Sequence, residues 1–174
     1  MLETKADIIA QMISYMQNVL EKPHPVFGGL PICPFARKAR LEKKVLYHVY
    51  RFVPLDRLNP DVHLMQFIQD FSRSKQYEAL LVINPDRQAL TLDELQQFVE
   101  GLNEVIAPYG LIAFGGHPQE PFNIQGVYTR REPFINFTVQ TQEKVKAASD
   151  ALLKTHYYDY WSEENLKQVG FPRH

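Results

Sequence analysis

Ala79-Leu-Leu-Val-Ile83 is an apolar run with no polar residue inside it, closed by Glu78 on one side and Asn84-Pro85 on the other. It is too short for a buried helix and lacks the alternation of a strand with one wet face, so it reads as a strand covered on both faces. The next segment fixes the setting. Thr91-Leu-Asp-Glu94 has the spacing of a capping box, with Leu90 placed to staple onto Leu95. The helix it opens is expected to bury Leu95, Phe98, Leu102, Val105 and Ile106, and Pro108 and Gly110 stop it before a further strand, Leu111-Ile-Ala-Phe114. A strand covered on both faces and followed by a helix and another strand predicts an α/β (α+β) fold. Its expected form is a mixed sheet of about four strands, a single layer backed by helices, with right-handed parallel crossovers and a strand order the sequence does not give.

The remaining segments fit around that unit. Residues 4–21 carry Ile8, Ile9, Met12, Ile13, Met16, Val19 and Leu20 at helical spacing, ending at Pro23 and Pro25. The stretch 22–32 has three prolines and Gly28-Gly29, an irregular loop held down by Val26, Phe27 and Ile32. Pro34 suits a first helical position, which makes Cys33 the expected N-cap of a short helix to about Leu41. Residues 44–53 are β-branched and aromatic, a strand, and Asn59-Pro60 is expected to cap a helix carrying Val62, Met65, Phe67, Ile68 and Phe71. From Gly115 to Glu132 there is little periodicity, and loops of that length are often functional. Phe134 to Gln140 alternates Ile135, Phe137 and Val139 with Asn136, Thr138 and Gln140, a strand with one wet face. A helix over 141–154, the aromatic patch His156 to Trp161, and a last helix capped by Ser162 and stopped by Gly170 and Pro172 complete the chain.

A length of 174 residues fits one domain spanning 1–174, with an N-terminal helix over 1–21 and a C-terminal aromatic segment over 155–174 docking on the core. At 45% hydrophobic and 22% charged residues, the chain is far from the composition of disorder. A net charge of −1 supplies no field to hold nucleic acid. One cysteine makes no internal disulfide, the N-terminus lacks a secretory pattern, and no apolar run approaches the roughly 18 residues of a membrane span, so the expected setting is the cytoplasm.

Cys33 is the chief chemical candidate, because a cysteine at a helix start is pushed toward thiolate by the dipole and the orphan N–H groups. The competing expectation is plain packing, since cysteine is among the most buried residue types. His117, in a Gly-Gly-His-Pro turn after a strand, stands where α/β proteins place ligand sites and could deprotonate a thiol. Arg130 and Arg131, beside Tyr128 and Thr129, could clamp a carboxylate or phosphate, against the commoner outcome of a solvated arginine pair. His48 reads as a satisfied, half-buried histidine. None of the 6 histidines has metal-binding spacing, and neither glycine pair matches a phosphate loop.

Cys33-Pro34-Phe35-Ala36, followed by Arg37 and Arg40-Leu41, resembles the start of omega-class glutathione transferases and, more loosely, the Cys-Pro-Phe-Cys of glutaredoxins. Ala36 stands where glutaredoxins have their resolving cysteine, so the resemblance implies monothiol chemistry only. Those folds place a strand directly before the cysteine; here a helix and a Pro/Gly loop precede it, and a thioredoxin fold is not expected. A broader resemblance, over residues 24–140, is to uncharacterised bacterial proteins with a His-Pro loop, Cys-Pro-Phe, an apolar strand, a later His-Pro and Arg-x-Pro-Phe. Here these are His24-Pro25, Cys33-Pro34-Phe35, Leu80 to Pro85, His117-Pro118 and Arg131-Glu132-Pro133-Phe134. The order also resembles that of haem-dependent enzymes that hydroxylate guanidine nitrogens, which implies a haem bound through Cys33 or His117; no other metal is expected.

These readings lead to a small-molecule-binding protein of bacterial type, with a monothiol or redox site at Cys33. His117 would be its partner, Arg131 the anion anchor, and Arg130, Tyr128 and Phe35 further contacts to the substrate. A haem-binding, oxygenase-like enzyme uses the same residues. The non-catalytic alternative is an interaction module or homodimer in which the first helix and the aromatic tail bury against a partner.

Overall fold

The computed structural model describes residues 2–54, 56 and 58–171. Thr4 caps helix α1 (Lys5–Tyr15) in a reciprocal box with Asp7, and the helix widens into a π-helical turn over Met16–Leu20. A single 3-10 turn at Pro25–Phe27 and helix α2 (Ala36–Leu41) lead to strand β1 (Val45–Val49). Helix α3 (Val62–Ser74), strand β2 (Ala79–Ile83), helix α4 (Leu92–Ile106) and strand β3 (Leu111–Gly116) follow. A small hairpin of β4 (Asn123–Ile124) and β5 (Val127–Tyr128) precedes strand β6 (Asn136–Thr141), helix α5 (Gln142–Leu153) and helix α6 (Glu163–Gln168).

The main sheet has the order β1-β2-β6-β3. β1 and β2 pair in parallel, as a strand–helix–strand unit should, and β6 enters antiparallel between β2 and β3. The α/β architecture with a mixed four-stranded sheet is therefore the one the residues predict. β2 has a neighbour on each side and all of its residues are buried, as its unbroken apolar run requires.

Alternation along β2 divides the core into two layers. Leu80 and Val82 point to the side where α3 and α4 bring Ile68, Phe71, Leu95 and Phe98. Leu81 and Ile83 point to the other, where α1 brings Ile8 and Met12. A third cluster lies apart from the sheet, with Phe27, Phe122, Ile124, Leu152 and Tyr157 at its centre and Ile32 and Trp161 beside them. The apolar stripe of α1 and the aromatic tail, offered above to a partner, are thus used inside the chain. No helix among the described residues is long and apolar enough to cross a membrane.

Several local expectations are corrected. Helix α3 is capped by Asp61, whose Oδ1 accepts from the Leu64 N–H (3.0 Å) while Oδ2 takes the Tyr50 hydroxyl (2.6 Å); Asn59-Pro60 falls just upstream. Val62 therefore occupies the first turn on the solvent side and is 73% exposed. Val105 also faces out of α4. Asn136, assigned to the wet face of β6, is 2% exposed and donates to the Phe134 carbonyl (2.9 Å). The aperiodic segment contains the β4–β5 hairpin, closed by Gln125-Gly126 with positive φ at both residues (49° and 85°), the geometry of a primed turn. His48 is stacked on Phe67 at 3.7 Å, and its Nε2 is buried with no hydrogen-bond partner, so it is not the satisfied histidine expected. Pro172, expected to help stop the last helix, lies outside the described residues.

Candidate functional site

β3 is an edge strand, and the groove beside it is the larger of two clefts described on the molecule, with a volume of about 620 Å³. α4 supplies one wall through Leu95, Gln96 and Val99, β3 the floor through Phe114 and Gly115, and Pro121, Phe122 and Arg130 the far side. Val169 and Gly170 close the end. Arg130 is half-buried, and its guanidinium lies over the Phe122 ring at 5.0 Å and the Phe114 ring at 5.9 Å. Cationic placement on two aromatic faces holds the guanidinium in a partly dry wall. The carboxylates on this cleft are placed differently: Glu100 is exposed, and Glu120 accepts from the Phe122 N–H (3.2 Å) within its own loop.

The residues singled out from the sequence are not assembled as expected. His117 is 4% exposed; its Nε2 bonds the Leu90 carbonyl (3.1 Å) and its Nδ1 accepts from the Gln119 N–H (3.0 Å). That pairing engages both ring nitrogens and leaves neither for a thiol or a metal. Arg131 stacks on Tyr128 at 3.7 Å and donates from Nε to the Glu120 carbonyl (3.2 Å), an exposed pair outside the cleft. Phe35, 45% exposed, is the N-cap of α2 and offers no capping side chain.

Cys33 lies in the turn before Phe35, so it is not the N-cap. Its N–H donates to the Leu20 carbonyl (3.0 Å) at the end of the π-helical turn. Burial holds the thiol above its usual range, and the nearby Glu21 carboxylate works in the same direction, against N–H groups of Phe35 and Ala36 that favour the thiolate. Glu21 is itself clamped by Arg40 of α2 through two 2.8 Å bonds, which fixes the loop. The Tyr157 hydroxyl donates to the Ile32 carbonyl beside Cys33, which ties the aromatic tail to the same loop.

A polar cluster that sequence reasoning missed lies behind Arg130. Glu132 turns inward over Gly116, so closely that a Cβ on Gly116 would stand 2.2 Å from Oε2. That oxygen is buried without a hydrogen-bond partner, and so is the Tyr15 hydroxyl, which a main-chain group of Arg131 approaches without reaching hydrogen-bond geometry. Burial raises the Glu132 carboxyl to about 7, opposed by Arg130 and Asn136, and Tyr15 is pushed up by burial and by Glu132. Tyr15 sits where α1 becomes a π-helix, a distortion that often marks a functional position. The usable signal in the sequence was Glu132 inside Arg-Glu-Pro-Phe, a carboxylate entering a buried strand.

No family model, curated protein or solved structure matches the chain. The site therefore rests on its own geometry. Among the described residues, no group of three or more His, Cys, Asp or Glu side chains could hold a metal ion. A haem, which one resemblance implied, does not fit the ligands named for it: both His117 nitrogens are engaged, and neither His117 nor Cys33 lines either cleft.

Proposed function

We propose that this domain binds a small molecule with an apolar body in the cleft between α4 and β3. The observation that carries the reading is the cleft itself, about 620 Å³ and walled by Leu95, Val99, Phe114 and Phe122, a size suited to a small ligand. Arg131, to which the sequence gave the role of anion anchor, stacks on Tyr128 and donates to the Glu120 carbonyl outside the cleft. Val99→Trp, which fills the cleft, is expected to weaken the binding of benzyl alcohol by about tenfold or more, measured by titration of the ¹⁵N-labelled protein. Equal affinity in the variant and the parent would remove the cleft from the reading.

Cys33 has a packing role in this proposal. Its alkylation by iodoacetamide at pH 7 is expected to be slower than that of free cysteine and to climb above the ordinary thiol range, because burial and Glu21 both disfavour the thiolate. Fast labelling below neutral pH would restore the nucleophile.

A further inference from the structure

Charge is unevenly distributed along this chain. Residues 22–44 hold six Lys and Arg side chains and one acidic one, Glu42, although the net charge of the whole is −1. The excess positive charge is thus confined to the loop after α1, helix α2 and the turn into β1. Only part of it is spent within the fold. Arg40 is clamped by Glu21, and Lys44 is held between Glu42 (2.9 Å) and Glu78 (3.4 Å). Lys38 reaches Glu42 only at 4.0 Å, with 79% of its side chain exposed. Lys22, Arg37 and Lys43 are exposed and, among the described residues, form no ion pair.

The same surface is apolar at two points. α2 turns Ala39 inward, with Ala36 and Arg40 beside it, which leaves Arg37, Lys38 and Leu41 on the outer side. Leu41 lies one turn from both Arg37 and Lys38, and Lys38 lies one turn from Phe35 at the start of the helix. Leu41 is 60% exposed and Phe35 45%, so cations and apolar side chains alternate across one face. The Arg40–Glu21 clamp brings Lys22, next in the chain, alongside. None of these residues lines the α4–β3 cleft.

We propose that this face docks the chain on an anionic lipid bilayer, with Phe35 and Leu41 entering the interfacial region and Lys22, Arg37, Lys38 and Lys43 meeting the lipid headgroups. Charge complementarity selects an anionic partner, and four basic side chains are the number at which attraction to an anionic leaflet becomes substantial. The apolar pair selects a lipid one. An aliphatic side chain such as Leu41 gains from an apolar phase, which lies just beneath the headgroups of a bilayer and is absent from a nucleic-acid backbone. The acidic remainder of the chain is repelled by the same surface, which turns α2 toward it.

Co-sedimentation of the full chain with vesicles tests the proposal. The chain is expected to pellet with vesicles of equal parts phosphatidylcholine and phosphatidylserine and to stay in solution with phosphatidylcholine alone. Release is expected at about 1 M salt, where the screening length falls to about 3 Å. Arg37→Gln combined with Lys38→Gln should lower the partition coefficient about 30-fold, the weight of two cations near the surface, and Leu41→Ser about three- to tenfold. These side chains are exposed, so the variants should keep the melting temperature of the parent. No pelleting of the parent with the mixed vesicles, or equal pelleting with both kinds, overturns the proposal. So does a Leu41→Ser variant that binds the mixed vesicles as the parent does, because the face would then serve a soluble polyanion such as nucleic acid or an acidic protein.

Discussion

Replacing Phe137 by alanine is expected to cost about 3–5 kcal/mol, the range for emptying an aromatic position in a packed core. Phe137 is fully buried on β6, the strand that joins the two halves of the sheet. Its ring meets Phe52 at 5.0 Å in an edge-on contact and Phe98 at 5.4 Å, while Phe52 and Phe98 are themselves 4.9 Å apart. The three rings come from β6, α4 and the segment after β1, so the cavity would open where separate elements meet and none can follow the lost ring inward. Against a total stability of roughly 5–15 kcal/mol the variant would be near the edge of folding at 37 °C. Urea denaturation measures it, and Phe137→Leu, which keeps most of the volume, should lose clearly less. A loss below about 1 kcal/mol for the alanine variant would mean that the rings do not form a shared core.

Glu132→Gln should change how stability depends on pH. The folded carboxyl is raised from 4.5 to about 7, so between those values the folded chain keeps a proton that the unfolded chain has released. The stability contributed by this group is full below pH 4.5 and is lost as pH rises through 7, a loss on the order of 3 kcal/mol once the carboxyl ionises. Glutamine has the shape of the acid and no charge, so the variant should match the parent near pH 5 and exceed it by roughly 2–3 kcal/mol near pH 9. Parallel denaturation curves across that range would show that Glu132 is solvated. His48 acts at the other end: burial and the neighbouring His63 hold its pKa below the usual value, so the stability it contributes is lost as pH falls below the ordinary histidine range.

The cleft and the buried carboxyl meet at Arg130. Its guanidinium lines the cleft and also lowers the Glu132 and Tyr157 values by its charge.

Much of the fold was legible in the residues because the deciding forces are local. Thr91 with Glu94 forms the capping box its spacing promised, Ser162 caps its helix in the same way with Asn165, and Thr141 caps α5 through its own side chain alone. The apolar run 79–83 needed only its own composition to be read as a central strand. The alternation in β6 placed Phe137 and Val139 in the core correctly. It failed at Asn136, because the face opposite the core is also covered, at that end, by Glu132 and the segment before β6.

The candidate site was far less legible. Cys33 and His117 were selected for what their side chains are able to do, whereas function depends on what remains open after the chain has met its own hydrogen-bonding needs. His117 spends both nitrogens on its own turn and on Leu90, Arg131 spends its guanidinium on Tyr128 and Glu120, and Cys33 precedes the N-cap of α2, its N–H bonded to Leu20 and its thiol held up by burial. The sequence by itself determined the elements, their caps and which of their faces are apolar, since these follow from periodicity and from groups three or four residues apart. The tertiary structure decided the insertion of β6 between β2 and β3, the edge position this leaves to β3, and the burial of Glu132 over Gly116. Those outcomes depend on contacts between residues distant in the chain, where the pairing energies of alternative strand orders are similar and only the packing of the whole selects one.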